Sequence, residues 1–260
     1  MNSSADSAAD PEQTELSRGP KIWGFWLTLI WGLGAAAVWS LSQLAVVIVL
    51  LARMGGTERD QVTAHLRQLA SNGPALALTL LISMPFLVGF LFLATRRARA
   101  SFRDYLGLKW PTWRQVILGF VALVVVLGLG EVAASLLDIS TPPFMTDTLR
   151  SAEESGGFSF LAFVFGFAFA APFSEEILFR GFLLPGLAKG LGSIPAIALT
   201  AVLWASLHVQ YQLFFIGQII ALGLLLGTLR WRTGSTLLTF ILHATNNGAA
   251  LLLLALDNAS

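Results

Sequence analysis

Long apolar runs, separated by short polar segments, make up most of the chain after residue 20. Runs of about 17–25 such residues can cross the hydrocarbon core of a bilayer as single helices. The pattern therefore predicts an all-α, polytopic membrane helical bundle with about seven transmembrane helices. The predicted helices are Ile22–Leu51, Ala75–Thr95, Val116–Leu137, Phe158–Leu187, Ile194–Val209, Leu213–Leu229 and Thr236–Leu256.

The polar segments divide the chain into three parts. Residues 1–20 are polar, partly acidic and lack a basic n-region, so they are predicted to be a disordered cytoplasmic tail rather than a signal peptide. Residues 21–114 form an N-terminal two-helix membrane region that ends in a basic loop, and residues 115–256 form the second membrane domain. An eighth, interfacial helix could lie in Thr57–Leu69 or in Phe102–Trp113.

Basic residues cluster in three loops that alternating helices place on one side of the membrane. They are Arg96, Arg97, Arg99, Arg103, Lys109 and Arg114 in the first loop, Lys189 in the second, and Arg230 and Arg232 in the third. The loops on the opposite side are mixed or acidic. By the positive-inside rule, we expect a cytoplasmic N-terminus and an outside C-terminus. As a separate expectation, the membrane would be a bacterial cytoplasmic membrane.

The composition agrees with a membrane protein and excludes several kinds of site. Hydrophobic residues make up 55% of the chain and charged residues 12%, with a mean hydropathy of +0.73. Soluble domains carry about 25% charged residues, roughly twice as many. The absence of cysteine excludes disulfides, thiolate zinc sites and cysteine nucleophiles. The net charge of +1 indicates no nucleic-acid partner.

Three charged residues lie inside the fourth apolar run, where an ionisable group costs at least about 2.5 kcal/mol. Glu176 and Arg180 are four residues apart, so on a helix they share a face, in the favourable order for an ion pair. Glu175 lies about 100° away around the helix and has no partner nearby in sequence. Pro172, which lacks an N–H, could kink the helix there. The pattern predicts a structural Glu176–Arg180 pair and a free Glu175 carboxylate suited to general acid–base chemistry.

Two histidines and an asparagine lie in later membrane helices. His208 follows Trp204 by one helical turn, and Asn247 follows His243 by one turn. Histidine is the usual proton-transfer residue and a common metal ligand. Together with a glutamate, these residues could activate a water molecule and stabilise an oxyanion.

Each of these residues also has a purely structural interpretation. A buried Glu–Arg pair often only joins helices, and a single membrane histidine more often packs through a hydrogen bond than binds a ligand. An asparagine can likewise connect two helices. The combination favours a hydrolytic site, because no single residue would indicate one.

The three motifs together resemble the signature of the CPBP family, which groups type II CAAX prenyl endopeptidases with bacteriocin-processing and immunity proteins that carry the ABI domain. The motifs are Glu175-Glu176-x-x-x-Arg180, Trp204-x-x-x-His208 and His243-x-x-x-Asn247. The resemblance covers about residues 115–256, which it marks as the catalytic membrane domain. The family usually has Phe at the position of Trp204, and we expect this change to alter the shape of the pocket more than its chemistry.

The resemblance implies an intramembrane endopeptidase that acts on membrane-associated peptides or lipidated, CAAX-type proteins. Glu175 would activate the catalytic water together with His208. His243 and Asn247 would form an oxyanion site or complete a metal site. The residues implied as structural support are Glu176, Arg180 and Trp204.

A metal ion is the one cofactor that the resemblance raises. Glu175, His208 and His243 are of the residue types that bind zinc, so together they could hold a Zn²⁺ ion.

Two rival functions stay open at this stage. The chain could be a non-catalytic membrane immunity or scaffold protein that retains the motif as structure. It could also be a transporter or proton pathway, although the polar residues cluster at one level rather than crossing the bilayer. On straight helices, Glu175 is expected near the cytoplasmic end of the fourth helix and His208 past the middle of the fifth, so their convergence requires tilt or a kink.

Overall fold

The computed structural model describes residues 21–56, 58–140 and 142–259. Within these residues the chain is helical and contains no strand, which confirms the predicted all-α membrane bundle. The predicted tail, residues 1–20, lies outside the described part of the chain.

The helices are numbered here in chain order, and six of them are long and apolar enough to cross a membrane. These six are α1 (Phe25–Met54), α3 (Gly73–Arg97), α5 (Trp113–Leu136), α7 (Gly157–Leu191), α9 (Leu213–Thr233) and α10 (Thr236–Ala259). The others are α2 (Arg59–Ala70), α4 (Phe102–Leu106), α6 (Pro143–Ser155) and α8 (Ser193–Ala205), which continues as a 3₁₀ turn through Ser206–His208.

The structure agrees with the predicted membrane helices and adds detail between them. Six long spans and the shorter apolar α8 correspond to the predicted seven. Each of the two segments considered for an interfacial helix contains a helix, α2 in the first and the short α4 in the second. The segment before the fourth run, interpreted as a loop, instead contains α6. Its apolar residues Leu149 and Ala152 are buried against the bundle, so the polar appearance of the segment concealed an amphipathic helix.

Local capping explains where several helices begin. Asn72 accepts a hydrogen bond from the Ala75 amide at the start of α3, and Thr112 and Gln115 form a reciprocal capping box at the start of α5. Gly107 ends α4 with a φ of 66°, a left-handed conformation that glycine adopts without steric cost.

Helix α7 is the centre of the bundle, because it packs against α1, α3, α8 and α10. It stays helical through Pro172, with π-helical turns on both sides at Gly166–Ala170 and Ile177–Leu183. Such wider turns often occur where a helix carries functional residues. The segment between them, Ala171–Glu176, carries the two glutamates.

Outward faces of the peripheral helices carry large apolar side chains that are exposed in the isolated chain. Leu118, Val124 and Leu129 on α5 are 67%, 66% and 67% exposed. A soluble protein rarely exposes so much contiguous apolar surface, whereas lipid covers it in a membrane protein. The polar residues of the predicted site lie on the inward faces instead.

Candidate active site

Glu176 and Arg180 form a fully buried ion pair at the centre of the bundle. The Arg180 Nη1 atom donates to Glu176 Oε1 over 3.1 Å, and both side chains are 0% exposed. Arg180 also donates through Nη2 to the Gly223 carbonyl over 3.3 Å. Its guanidinium carbon lies 4.4 Å from the centre of the Trp204 ring, within the range of a cation–π contact. The pair therefore connects α7, α8 and α9.

The contact with α9 depends on a small residue. A Cβ atom at Gly223 would lie 2.9 Å from the Cβ of Ala201 on α8, closer than such atoms pack. Glycine lets α9 approach α8 closely, so its carbonyl comes within reach of Arg180. Nothing in the sequence distinguished Gly223 from the other membrane glycines.

His243 stands between the two glutamates. Its Nδ1 atom is 3.0 Å from Glu176 Oε1, and its Nε2 atom is 3.9 Å from Glu175 Oε2. Because Glu176 is an acceptor, Nδ1 carries the proton in this contact, and in the neutral ring Nε2 then presents a lone pair toward Glu175. A carboxylate that orients a histidine in this way is a recurring arrangement in hydrolytic and metal sites.

Glu175 is partly accessible and is held by an aromatic donor. Its side chain is 13% exposed, and its Oε2 atom accepts a hydrogen bond of 2.5 Å from the Trp204 indole N–H. The expectation that Trp204 affects shape more than chemistry therefore needs revision, since a phenylalanine at this position could not donate. Glu175, which was predicted to be free, therefore has a hydrogen-bond donor on α8, Trp204, and a neighbouring histidine on α10, His243.

His208 lies at the outer side of Trp204. The two ring centroids are 5.4 Å apart, and His208 Nδ1 is 3.1 Å from the Trp204 carbonyl oxygen. Trp204, one turn before His208, reaches Glu175 directly, which argues against the expected difference in depth. Helix α7 extends to Leu191, so Glu175 and His208 lie almost equally far along the chain from the turn at Gly192. Antiparallel helices then bring these residues to one level.

Tyr211 is a neighbour of the site that the sequence did not indicate. Its ring centroid is 6.0 Å from that of His208 and 4.9 Å from that of Phe144 on α6. Burial raises the pKa of Tyr211 to about 12, and the negative charge of Glu175 adds to the rise. Its position in the turn after His208 was the only available signal. Tyr211 extends the site toward the amphipathic helix α6.

Asn247 lies one turn beyond His243 on α10. One of its amide hydrogens is donated to the Phe167 carbonyl over 3.1 Å, in the first π-helical turn of α7. Its Oδ1 atom accepts from Asn246 over 3.3 Å. The structure thus places Asn247 beside the glutamates' helix, although its recorded hydrogen bonds are not to the glutamates.

The suggested zinc ligands do not form a preformed metal site in this arrangement. Among the described residues, no three histidine, aspartate or glutamate side chains come together closely enough to hold a metal ion. Glu175 and His243 are adjacent, whereas His208 contacts the Trp204 ring instead. Zinc binding stays a prediction that would require His208 to move toward Glu175, and no chemical step is derived through a metal.

Comparison with known families covers the part of the chain that forms this site. Residues 157–249 match the sequence model of a family described as Rce1-like, type II CAAX prenyl endopeptidase Rce1-like. The matched segment contains α7, α8, α9 and the first half of α10, and so all the site residues from Glu175 to Asn247. No curated protein and no solved structure matches the chain.

Proposed function

We propose that this membrane protein is a glutamate-dependent intramembrane endopeptidase. The premise is that residues 157–249 belong to the Rce1-like family of type II CAAX prenyl endopeptidases. The substrates of this protein would be membrane-associated peptides or lipidated, CAAX-type proteins. The observation that carries the proposal is the placement of His243 between Glu175 and Glu176, at 3.9 Å and 3.0 Å. A structural role alone would not require a second, partly accessible carboxylate facing the free nitrogen of an oriented histidine.

Glu175 is proposed as the general base. Its oxygen and His243 Nε2, 3.9 Å apart, are too distant for a direct hydrogen bond but close enough to share a bound water. Glu175 would take a proton from this water as its oxygen attacks the scissile carbonyl carbon. The same proton would then pass to the leaving nitrogen as the C–N bond breaks, which gives a carboxylic acid and an amine.

The surrounding residues would fix the base and the water rather than react. Trp204 holds one oxygen of Glu175 through its N–H, which limits rotation of the carboxylate. Glu176 keeps the proton of His243 on Nδ1, and Arg180 in turn holds Glu176. Such a supporting chain matters because catalytic groups act only from a narrow range of positions.

His208 and Asn247 are proposed to stabilise the developing oxyanion. Asn247 donates one amide hydrogen to Phe167, so its second N–H could serve an oxyanion. The Nδ1 atom of His208 faces the Trp204 carbonyl oxygen and would donate its proton there. For Nε2 to donate to the oxyanion as well, the His208 ring must carry a proton on both nitrogens. The family resemblance implies a pairing of Glu175 with His208; we propose His243 as the partner instead, because its Nε2 atom lies 3.9 Å from Glu175 Oε2.

Proteolysis by the purified protein in lipid nanodiscs tests the proposal. A panel of peptides with and without a C-terminal lipid would be incubated with the wild type, Glu175→Gln and a control. Glu154→Gln is the matched control, because Glu154 is an exposed acid on α6. Cleavage by the wild type and the control but not by Glu175→Gln is expected. Equal cleavage by all three would refute the role of Glu175, and a Glu175→Gln protein that keeps its cellular effect would indicate a scaffold.

A further inference from the structure

A cavity of about 240 Å³ lies beside the C-terminal part of α7, at Leu184 and Pro185, about two helical turns beyond Glu176. Its walls come from the segment before α1, from α4 and the loop after it, from α7 and from the end of α9. The residues that line it are Ile22, Asp104, Tyr105, Gly107, Lys109, Leu184, Pro185, Arg230, Trp231 and Gly234. None of the candidate active-site residues is among them.

Two cations face this cavity without a carboxylate partner. Within the described residues, no carboxylate oxygen lies within 4.0 Å of Lys109 or Arg230. Arg230 is fixed through its Nε atom, which donates to Thr236 Oγ1 over 2.8 Å, and this leaves its terminal nitrogens available. Asp104 at the rim is the one acid of the lining, and its Oδ2 atom accepts from Ser101 over 2.6 Å. The lining therefore carries a net positive charge.

Three backbone carbonyls near the cavity already accept hydrogen bonds. Thr236 donates its hydroxyl to the Leu106 carbonyl over 2.5 Å and its amide to the Gly107 carbonyl over 2.8 Å. Ser235 donates to the Lys109 carbonyl over 2.5 Å. These bonds consume acceptors that would repel an anion, and they hold the α4 segment rigidly against the turn between α9 and α10. Arg230, fixed through its Nε atom, remains as a charged donor beside the exposed Lys109.

The surroundings indicate that the anion would come from the membrane surface. Trp231, which lines the cavity, is 49% exposed, and Trp110 and Trp113, which follow Lys109 in the chain, are 76% and 68% exposed. Exposed tryptophans of this kind are typical of the belt at the membrane–water interface. The ends of three predicted spans, α5, α9 and α10, meet here. Ile22, Leu184 and Pro185 provide an apolar wall next to the cations, which suits a ligand with a charged head and an apolar remainder.

We propose that this cavity binds the phosphate headgroup of an anionic phospholipid, with Arg230 and Lys109 as the phosphate-binding residues. Basic pockets between membrane helices at the interface bind such headgroups. The site would anchor the α4 segment and the ends of α9 and α10 to the lipid surface. This assignment does not depend on the proposed endopeptidase activity.

Native mass spectrometry of the purified full-length protein can test the proposal. Phosphatidylglycerol and phosphatidylcholine with the same acyl chains would compete for retention on the wild type and its variants. Lys109→Gln and Arg230→Gln should each lower the preference for phosphatidylglycerol about fivefold, as expected for one interfacial basic residue. Arg232→Gln is the matched control, since Arg232 lies on the same helix end but does not line the cavity.

Each outcome bears on the assignment. An unchanged preference in Lys109→Gln and Arg230→Gln, or an equal loss in Arg232→Gln, would overturn it. If Arg230→Gln fails to fold, Lys109→Gln alone decides, because Lys109 is exposed; Arg230→Lys should keep the preference. In a second experiment, binding of soluble glycerol 3-phosphate to the same variants is measured. If it binds with the same dependence on these variants while phosphatidylglycerol shows no preference, the site recognises soluble phosphate and the lipid assignment is wrong.

Discussion

Removal of Arg180 should destabilise the fold strongly, because it would leave the Glu176 carboxylate buried without its cationic partner. Both side chains are 0% exposed, so water cannot replace the lost contact. Breaking one side of a buried pair costs about 3–5 kcal/mol. The Gly223 carbonyl would lose a donor, worth about 1 kcal/mol. Methionine would recover part of the packing on Trp204, so we expect Arg180→Met to lower the free energy of unfolding by about 3–5 kcal/mol.

The double variant Glu176→Gln/Arg180→Met shows whether the stranded charge is the cause. Glutamine can still accept a hydrogen bond from His243 but carries no charge, so the double variant should recover about 2 kcal/mol relative to the sum of the two single changes. The free energy of unfolding would be measured by titration with sodium dodecyl sulfate in mixed micelles. Glu175→Gln is the control and should change it by less than about 1 kcal/mol, since glutamine still accepts from Trp204.

Two results would refute this reasoning. A loss below about 1 kcal/mol for Arg180→Met would mean that the pair behaves like an exposed ion pair. Strict additivity of the two single variants would mean that Glu176 and Arg180 do not stabilise each other. Either result would remove the structural role proposed for the pair.

Three further predictions follow from the site and its surroundings. Trp204→Phe keeps an aromatic ring but loses the N–H bonded to Glu175, so kcat should fall by about ten- to a hundredfold with little change in KM; an unchanged kcat would show that the bond does not position the base. Chelator treatment should leave cleavage intact, because the proposed mechanism activates water through Glu175 without a metal; loss of cleavage that zinc restores would instead support a zinc site at Glu175, His208 and His243. The chain has only two tyrosines, Tyr105 and Tyr211, and burial raises the pKa of each from 10.0 to about 12. The folded protein therefore holds these protons more tightly than the unfolded chain, so the stabilisation is complete below about pH 10 and is lost as the pH rises toward 12. Tyrosinate absorbance that is already half developed in the native protein at about pH 10 would contradict this.

Hydrophobic pattern was sufficient to predict the bundle, because the length of an apolar run alone determines whether a helix can span lipid. Helix α6 was missed, since its polar face dominates its composition although Leu149 and Ala152 are buried. The pairing of Glu176 with Arg180 was predictable because both lie on one helix, four residues apart.

The partners of Glu175 were not predictable in the same way. They come from α8 and α10, and their choice depends on how those helices rotate against α7. The two π-helical turns of α7 also shift which side chains face the bundle, and no local sequence feature specified them. The motif spacing therefore selected the candidate residues, but it did not indicate that His243, rather than His208, would lie beside Glu175.

The central claim is that Glu175 is the general base. The most direct test compares the rate of peptide cleavage by Glu175→Gln with that of the wild type, under single-turnover conditions in nanodiscs. Glutamine preserves the size of the side chain and the bond from Trp204 but cannot accept the proton of water. A general base contributes about 10²–10⁴-fold, so we predict a loss of that size in a protein that remains folded. Cleavage by Glu175→Gln at the wild-type rate would contradict the account.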